Sequence, residues 1–149
     1  MIIQQDGYPL AVSEQLIAIL NHEIEQHSEV DMSSGCTIDF RNPSFSASSE
    51  CYHPVAIGLN HLGHILYLTH FAYRDDGHRA ELVKELDFDF EADRFQHKGR
   101  DFPLAECAEL FETWQSNFCA YYLCQVFNVT VQGYFNLASR TEPCYSADD

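Results

Sequence analysis

Residues 85–97 read Glu-Leu-Asp-Phe-Asp-Phe-Glu-Ala-Asp-Arg-Phe-Gln-His, and no other stretch constrains the fold as tightly. Leu86, Phe88 and Phe90 share one parity, while Asp87, Asp89 and Glu91 share the other. Successive strand side chains point to opposite faces, so this strand has an apolar face and an acidic one. Ala92-Asp93 offers a turn, and residues 94–97 can return as a second strand. Such a hairpin is stable only if another element covers its apolar face.

The covering element is legible downstream. From Pro103, a residue suited to a first helical turn, Leu104, Cys107, Ala108, Phe111, Trp114, Phe118, Tyr121 and Tyr122 recur at helical spacing. This predicts a helix over 103–122 with a broad aromatic stripe lying across a sheet. A second helix is predicted over 13–27. Ser13 is placed to cap it, Val12 and Ile17 to staple its first turn, and Leu16, Ile17, Leu20, Ile24 and His27 to form its apolar stripe. Alternation predicts strands at 36–40, 55–59, 65–73 and 127–131. The run 65–73 is apolar on both faces and reads as central. Residues 80–84 read as one helical turn and 98–101 as a loop. The expectation is one α+β domain over 1–149, with an antiparallel sheet of about five strands. The 103–122 helix packs on one face and the N-terminal helix lies beside it. The lead-in 1–10 and the tail 134–149 are expected to be irregular, with the last four residues frayed.

Composition limits what such a domain binds. Eight Lys and Arg stand against 23 Asp and Glu, a formal charge of −15. That leaves no basic footprint for nucleic acid, whose affinity rests on phosphate contacts, and an anionic membrane would repel the chain. No apolar run reaches the ~20 residues a spanning helix needs. The start of the chain lacks the pattern of a signal peptide, so the expectation is a cytoplasmic protein whose six Cys are reduced. No Cys-x-x-Cys occurs, so neither a zinc ribbon nor a dithiol redox motif is supported. Asn128-Val-Thr130 matches a glycosylation acceptor but falls in a predicted strand.

Chemistry-bearing residues are few. Asp87 and Asp89 share a strand face, where paired carboxylates can bind a cation or share a proton, or simply keep the face wet. His61 and His64 bracket a glycine turn, two imidazoles that alone make no metal site. His53 precedes Pro54, His70 sits inside the central strand, and His97 ends the hairpin. A base role for any of them needs an acidic orienter and a pocket. Arg41, just past a strand, can clamp a carboxylate or hold the acidic hairpin face. Arg41, His53, His70, Asp87, Asp89 and His97 are therefore the candidate ligand-binding residues. No catalytic residue, metal ligand or cofactor is assigned, because no phosphate loop, serine elbow or zincin helix is present.

Phe40-Arg-Asn-Pro-Ser-Phe-Ser-Ala47, Tyr52-His-Pro-Val55, Leu86-Asp-Phe-Asp-Phe90, Phe95-Gln-His97, Glu109-Leu-Phe111 and Trp114-Gln-Ser-Asn-Phe118 together resemble the bacterial family known as domain of unknown function 2787. The similarity runs from about Leu10 to Val131. It departs before the Tyr-His-Pro segment, where Ser48-Ser-Glu-Cys51 stands in place of a glycine-rich stretch. The resemblance implies a small bacterial, cytoplasmic, single-domain protein and carries over no activity or site residue. The leading expectation is a non-enzymatic protein-binding or regulatory module, with a protein partner or a second copy of the chain. One alternative is a small-molecule- or metal-binding enzyme, which requires several of the six candidates to converge on one cleft. The other is an acidic mimic of nucleic acid, which requires carboxylates in spaced rows.

Overall fold

The computed structural model describes residues 1–75 and 77–135. The elements run α1 (Glu14–Gln26), β1 (Cys36–Arg41), β2 (Val55–Leu59), β3 (Ile65–Asp75), β4 (Ala80–Asp89), β5 (Arg94–His97), β6 (Arg100–Pro103), a 3-10 turn (Leu104–Cys107), α2 (Ala108–Leu123) and β7 (Asn128–Gly133). The strands form one antiparallel sheet in the order β6-β5-β4-β3-β2-β1-β7. The α+β architecture is as expected, with β3 central, but the sheet has seven strands rather than about five.

Two differences have clear causes. Residues 98–101 do not form a simple loop. Lys98 (φ 51°) and Gly99 (φ 82°) both take positive φ and make the tight two-residue connection that joins β5 to β6. Residues 80–84 are strand, not helical turn, because they pair with residues 71–75 and lengthen the β3–β4 hairpin. Cross-strand pairing here overrides a weak local preference. The expected frayed tail falls among residues 136–149, outside the described residues.

Directly opposed residues share a face, so the register defines the rows. Ile38, Ile57, Leu68, Phe88, Phe95 and Phe102 form one row on the helix side. Beside it runs the row Phe40, Val55, His70, Leu86 and His97. Asp39, Ala56, Thr69, Asp87, Gln96 and Asp101 line the opposite face. The aromatic stripe of α2 meets the hairpin as expected. Phe111 sits 5.0 Å from Phe88 and 5.7 Å from Phe90, and Trp114 lies 5.7 Å from Phe88, ring centre to ring centre. Phe118 closes edge-on over Phe40 at 4.9 Å.

Helix α1 starts where Ser13 Oγ accepts the Leu16 N–H. It is fixed beside α2 at both ends. Gln115 accepts the Ser13 N–H and donates to the Ala11 carbonyl, while Tyr122 donates a short hydrogen bond to buried Glu23.

Candidate functional site

The structure divides the six candidate residues. Arg41 ends β1, exposed on the face away from the helices, and two strands separate it from the acidic hairpin strand. Its nearest electrostatic role is on Asp39, whose carboxyl is raised by burial and pulled back by the guanidinium. Asp87 and Asp89 share that face but serve the fold. Asp87 is buried, accepts a hydrogen bond from the Thr69 hydroxyl at 2.8 Å and has Lys84 Nζ at 3.8 Å. Asp89 accepts the Ala92 N–H at 2.9 Å and caps the hairpin turn. His97 lies in the His70 row, but Leu86 stands between them, and its ring stacks on Phe95.

His53 and His70 do come together. Their rings stack at 4.8 Å, 21° from parallel. Glu85 joins them through a β-bulge. His70 opposes Leu86 and Phe71 opposes Lys84, so Glu85 has no opposed residue. A bulge of this kind re-aims a side chain. Simple alternation assigns Glu85 to the Asp87 face, yet its Oε1 lies 3.4 Å from His70 Nε2.

Hydrogen bonding fixes where the protons sit. The indole N–H of Trp114 can only donate, and it lies 3.2 Å from His70 Nδ1. That nitrogen therefore accepts, and neutral His70 carries its proton on Nε2, facing Glu85. The His53 Nδ1 lies 2.8 Å from the Phe71 carbonyl, so it donates. Neutral His53 is left with a lone pair on Nε2, and Glu50 Oε1 lies 3.9 Å from that atom. Burial lowers the His70 pKa from 6.5 to about 4, with His53 adding to the fall and Glu85 opposing it. Protonation would also turn a second N–H toward the Trp114 N–H.

Beside the imidazoles is a cavity of about 170 Å³, walled by Tyr52, His53, His70, Trp114, Phe118 and Tyr121. Tyr52 and Tyr121 meet edge-on at 5.1 Å. A broader groove of about 970 Å³ runs along α1 past His22 and His61, but it is shallow and its histidines join no cluster among the described residues. The chemistry lies in the smaller cavity.

His53, His70 and Glu85 are the one trio among the described residues whose ligand atoms could surround a metal ion, all lying within 4.8 Å of one another. Two of the three are candidates from the sequence, and His53 Nδ1 is held by the Phe71 carbonyl, as the free ring nitrogen of a metal-binding histidine commonly is. Trp114 opposes this reading. A metal on His70 Nε2 would move the proton to Nδ1, against the indole N–H. As built, the trio presents hydrogen-bonding groups rather than a prepared metal centre. Trp114 and Tyr121 enter the sequence reading only as part of the helical stripe, and Tyr52 only as part of a family motif. Nothing local in the sequence reveals them, because the cavity joins the loop before β2, the middle of β3 and one face of α2.

Comparison with other proteins agrees with this architecture. The model of the family described as protein of unknown function DUF2787 matches residues 14–132. The chain belongs to that family. This DUF2787 protein is also similar to two solved structures from Vibrio cholerae. The hypothetical protein VC0508 of pathogenicity island VSP-II is 28% identical with a TM-score of 0.74, covering 87% of this chain and all of its own. The conserved hypothetical protein VC1805 of island VPI-2 is 29% identical with a TM-score of 0.72, covering 85% of this chain and 98% of its own. VC1805 is described as sharing structural homology with the human P32 protein. No curated protein matches the chain. Among the described residues of the DUF2787 protein, no helix is long and apolar enough to cross a membrane.

Proposed function

We propose that this protein is a non-enzymatic binding module whose cavity between α2 and strands β2–β3 receives one side chain of a partner protein. The observation that carries the reading is the size and lining of that cavity. Its volume of about 170 Å³ is close to the ~150 Å³ void that holds a single benzene ring. Whole small-molecule ligands usually occupy ~300–1,000 Å³. Rigid aromatic walls around a one-ring space are what an anchor side chain needs. Tyr121, 41% exposed, stands at the mouth where a partner would pass.

The enzyme reading finds less support. His70 spends its basic nitrogen on Trp114, and His53 spends one nitrogen on a carbonyl. Neither is turned toward a nucleophile by any hydrogen bond in the cluster. Mimicry of nucleic acid needs projecting rows of carboxylates, yet Asp87 and Asp89 are both engaged within the hairpin. The same reading places the protein in a bacterial cytoplasm.

Trp114 is the sole tryptophan, so its indole N–H gives one resolved amide-type resonance. The test titrates side-chain analogues against that signal: p-cresol, isobutanol, acetate, n-butylammonium and methylguanidinium. At least one should shift it with saturation by ~10 mM, the range expected for an anchor worth about 4 kcal/mol. Saturation should be lost in Tyr121→Ala. If no analogue saturates, the cavity is not a binding site and the proposal falls.

A further inference from the structure

The two edges of the sheet are built differently. At one end, β6 is four residues long and carries Arg100, Asp101 and Pro103, charges and a proline that deter pairing with another strand. At the other end, β7 reads Asn-Val-Thr-Val-Gln-Gly, pairs with β1 without a register shift and holds none of these devices. It lies within the stretch 113–139, which contains no Asp, Glu, Lys, Arg or His, in a chain whose formal charge is −15. Backbone hydrogen-bond direction alternates along an antiparallel strand. Tyr134, one residue past β7, donates its N–H to the Gly35 carbonyl at 2.9 Å, so Asn128, Thr130 and Gln132 also point their backbone groups at β1. Val129, Val131 and Gly133 therefore turn theirs away from the sheet, and among the described residues no strand lies beyond them.

We infer that β7 is a self-association edge, which pairs antiparallel with β7 of a second copy about a two-fold axis at Val131. That register sets Val131 against Val131 and Val129 against Gly133, so the outward N–H and C=O groups of both strands find partners. An axis perpendicular to the sheet keeps the helices of both copies on the same side. Ile38 opposes Val131 in the β1–β7 pair, so the apolar row from Phe102 to Ile38 continues through the two valines into the other copy. On the opposite face Thr130 meets Gln132, two uncharged side chains that can bond to each other. The same register sets residue 135 opposite residue 127. Phe135 is 75% exposed, while Phe127 packs on Phe40 and Phe118 at 6.0 and 5.7 Å. Phe135 of each copy thus covers Phe127 of the other. A neutral strand also lets two chains of this charge meet without carboxylates opposed across the junction.

Sedimentation velocity of the full chain tests this from about 5 μM to about 1 mM, a span suited to an interface below standard size. A monomer should convert to a dimer and to nothing larger, because β6 closes both outer ends. Amide exchange by NMR on the same samples should show the Val129, Val131 and Gly133 N–H groups slowing as the dimer fills. Val131→Lys opposes two ammonium groups at the axis while its stem still lies on the core, and should weaken the dimer at least about tenfold. Asp101→Ala, on the far edge, should leave it unchanged. Raising sodium chloride from about 50 mM to about 500 mM should tighten the dimer by screening the like charge of the two copies. Monomer at every concentration overturns the inference. So does a dimer indifferent to a folded Val131→Lys, which uses another surface, or one that salt dissolves, which rests on ion pairs. Protection of the three amides that does not depend on concentration overturns it as well, since the same chain then covers its own edge. The exchange series needs no variant, so it decides the matter whether or not Val131→Lys folds.

Discussion

Replacing His70 by glutamine tests the proton placement on which the site depends. His70 is held neutral by burial, by His53 beside it and by the Trp114 N–H directed at its Nδ1, with Glu85 opposing. Its pKa falls from 6.5 to about 4. Because the folded value is depressed below the unfolded one, protonation favours unfolding. The stability tied to neutral His70 is fully present above pH 6.5, drains away as pH falls, and is gone below about pH 4. At about 1.4 kcal/mol per pH unit the displacement corresponds to about 3 kcal/mol. The side chain keeps 20% of its surface exposed. We therefore take about 2 kcal/mol after solvent screening. Glutamine can still accept the Trp114 N–H but cannot titrate. Urea unfolding, followed by circular dichroism from pH 8 to pH 4, should show the two proteins' stability curves converging or crossing. The variant should gain about 2 kcal/mol on the wild type over that span. Subtracting the curves removes the carboxylates and other histidines common to both. Parallel curves would refute the reasoning, as would a His70 ring titration near 6.5 by NMR.

Other consequences follow from particular contacts. Tyr122→Phe leaves buried Glu23 without its hydroxyl donor and should cost about 1–3 kcal/mol, read as a lower urea midpoint at pH 7. Gly58→Ala would set a Cβ 2.2 Å from the Tyr67 ring, whose hydroxyl is tied to Thr37. The expected loss is about 1–3 kcal/mol in thermal or urea unfolding, and Tyr67→Ala in the same chain should recover part of it. Cys36 and Cys119 are buried, and burial raises both thiols to about 11, whereas Cys51 and Cys124 are exposed. Native alkylation at pH 8 followed by peptide mass mapping should label Cys51 and Cys124 and spare Cys36 and Cys119.

Periodicity carried the fold further than the site. The alternation of Leu86, Phe88 and Phe90 and the helical recurrence of Phe111, Trp114 and Phe118 are local patterns, and each survives in the structure as a packed face. Strand β6 escaped notice because it is four residues long and carries Arg100, Asp101 and Pro103, the charged and proline-bearing composition of an edge. Residues 80–84 form strand rather than a helical turn because their pairing with β3 is settled by partners on another strand. The site depends on such non-local facts throughout. His53 and His70 lie apart in sequence and meet only through the β2–β3 register, and Trp114 reaches His70 from α2.

Glu85 shows why the acidic hairpin and the site part company. Strict alternation would put it with Asp87, Asp89 and Glu91, making four acids of one parity. In the structure those two aspartates are consumed by Thr69 and by the turn at Ala92, so the regular part of the pattern builds the hairpin. The bulge then takes Glu85 and delivers it to the other side of the sheet, against His70. The carboxylate that reaches the histidine pair is thus the one that breaks the alternation. A strand whose register slips by one residue changes the face of every side chain beyond the slip. Here the slip sets both which carboxylate meets His70 and which way the side chains of the distal half of β4 face.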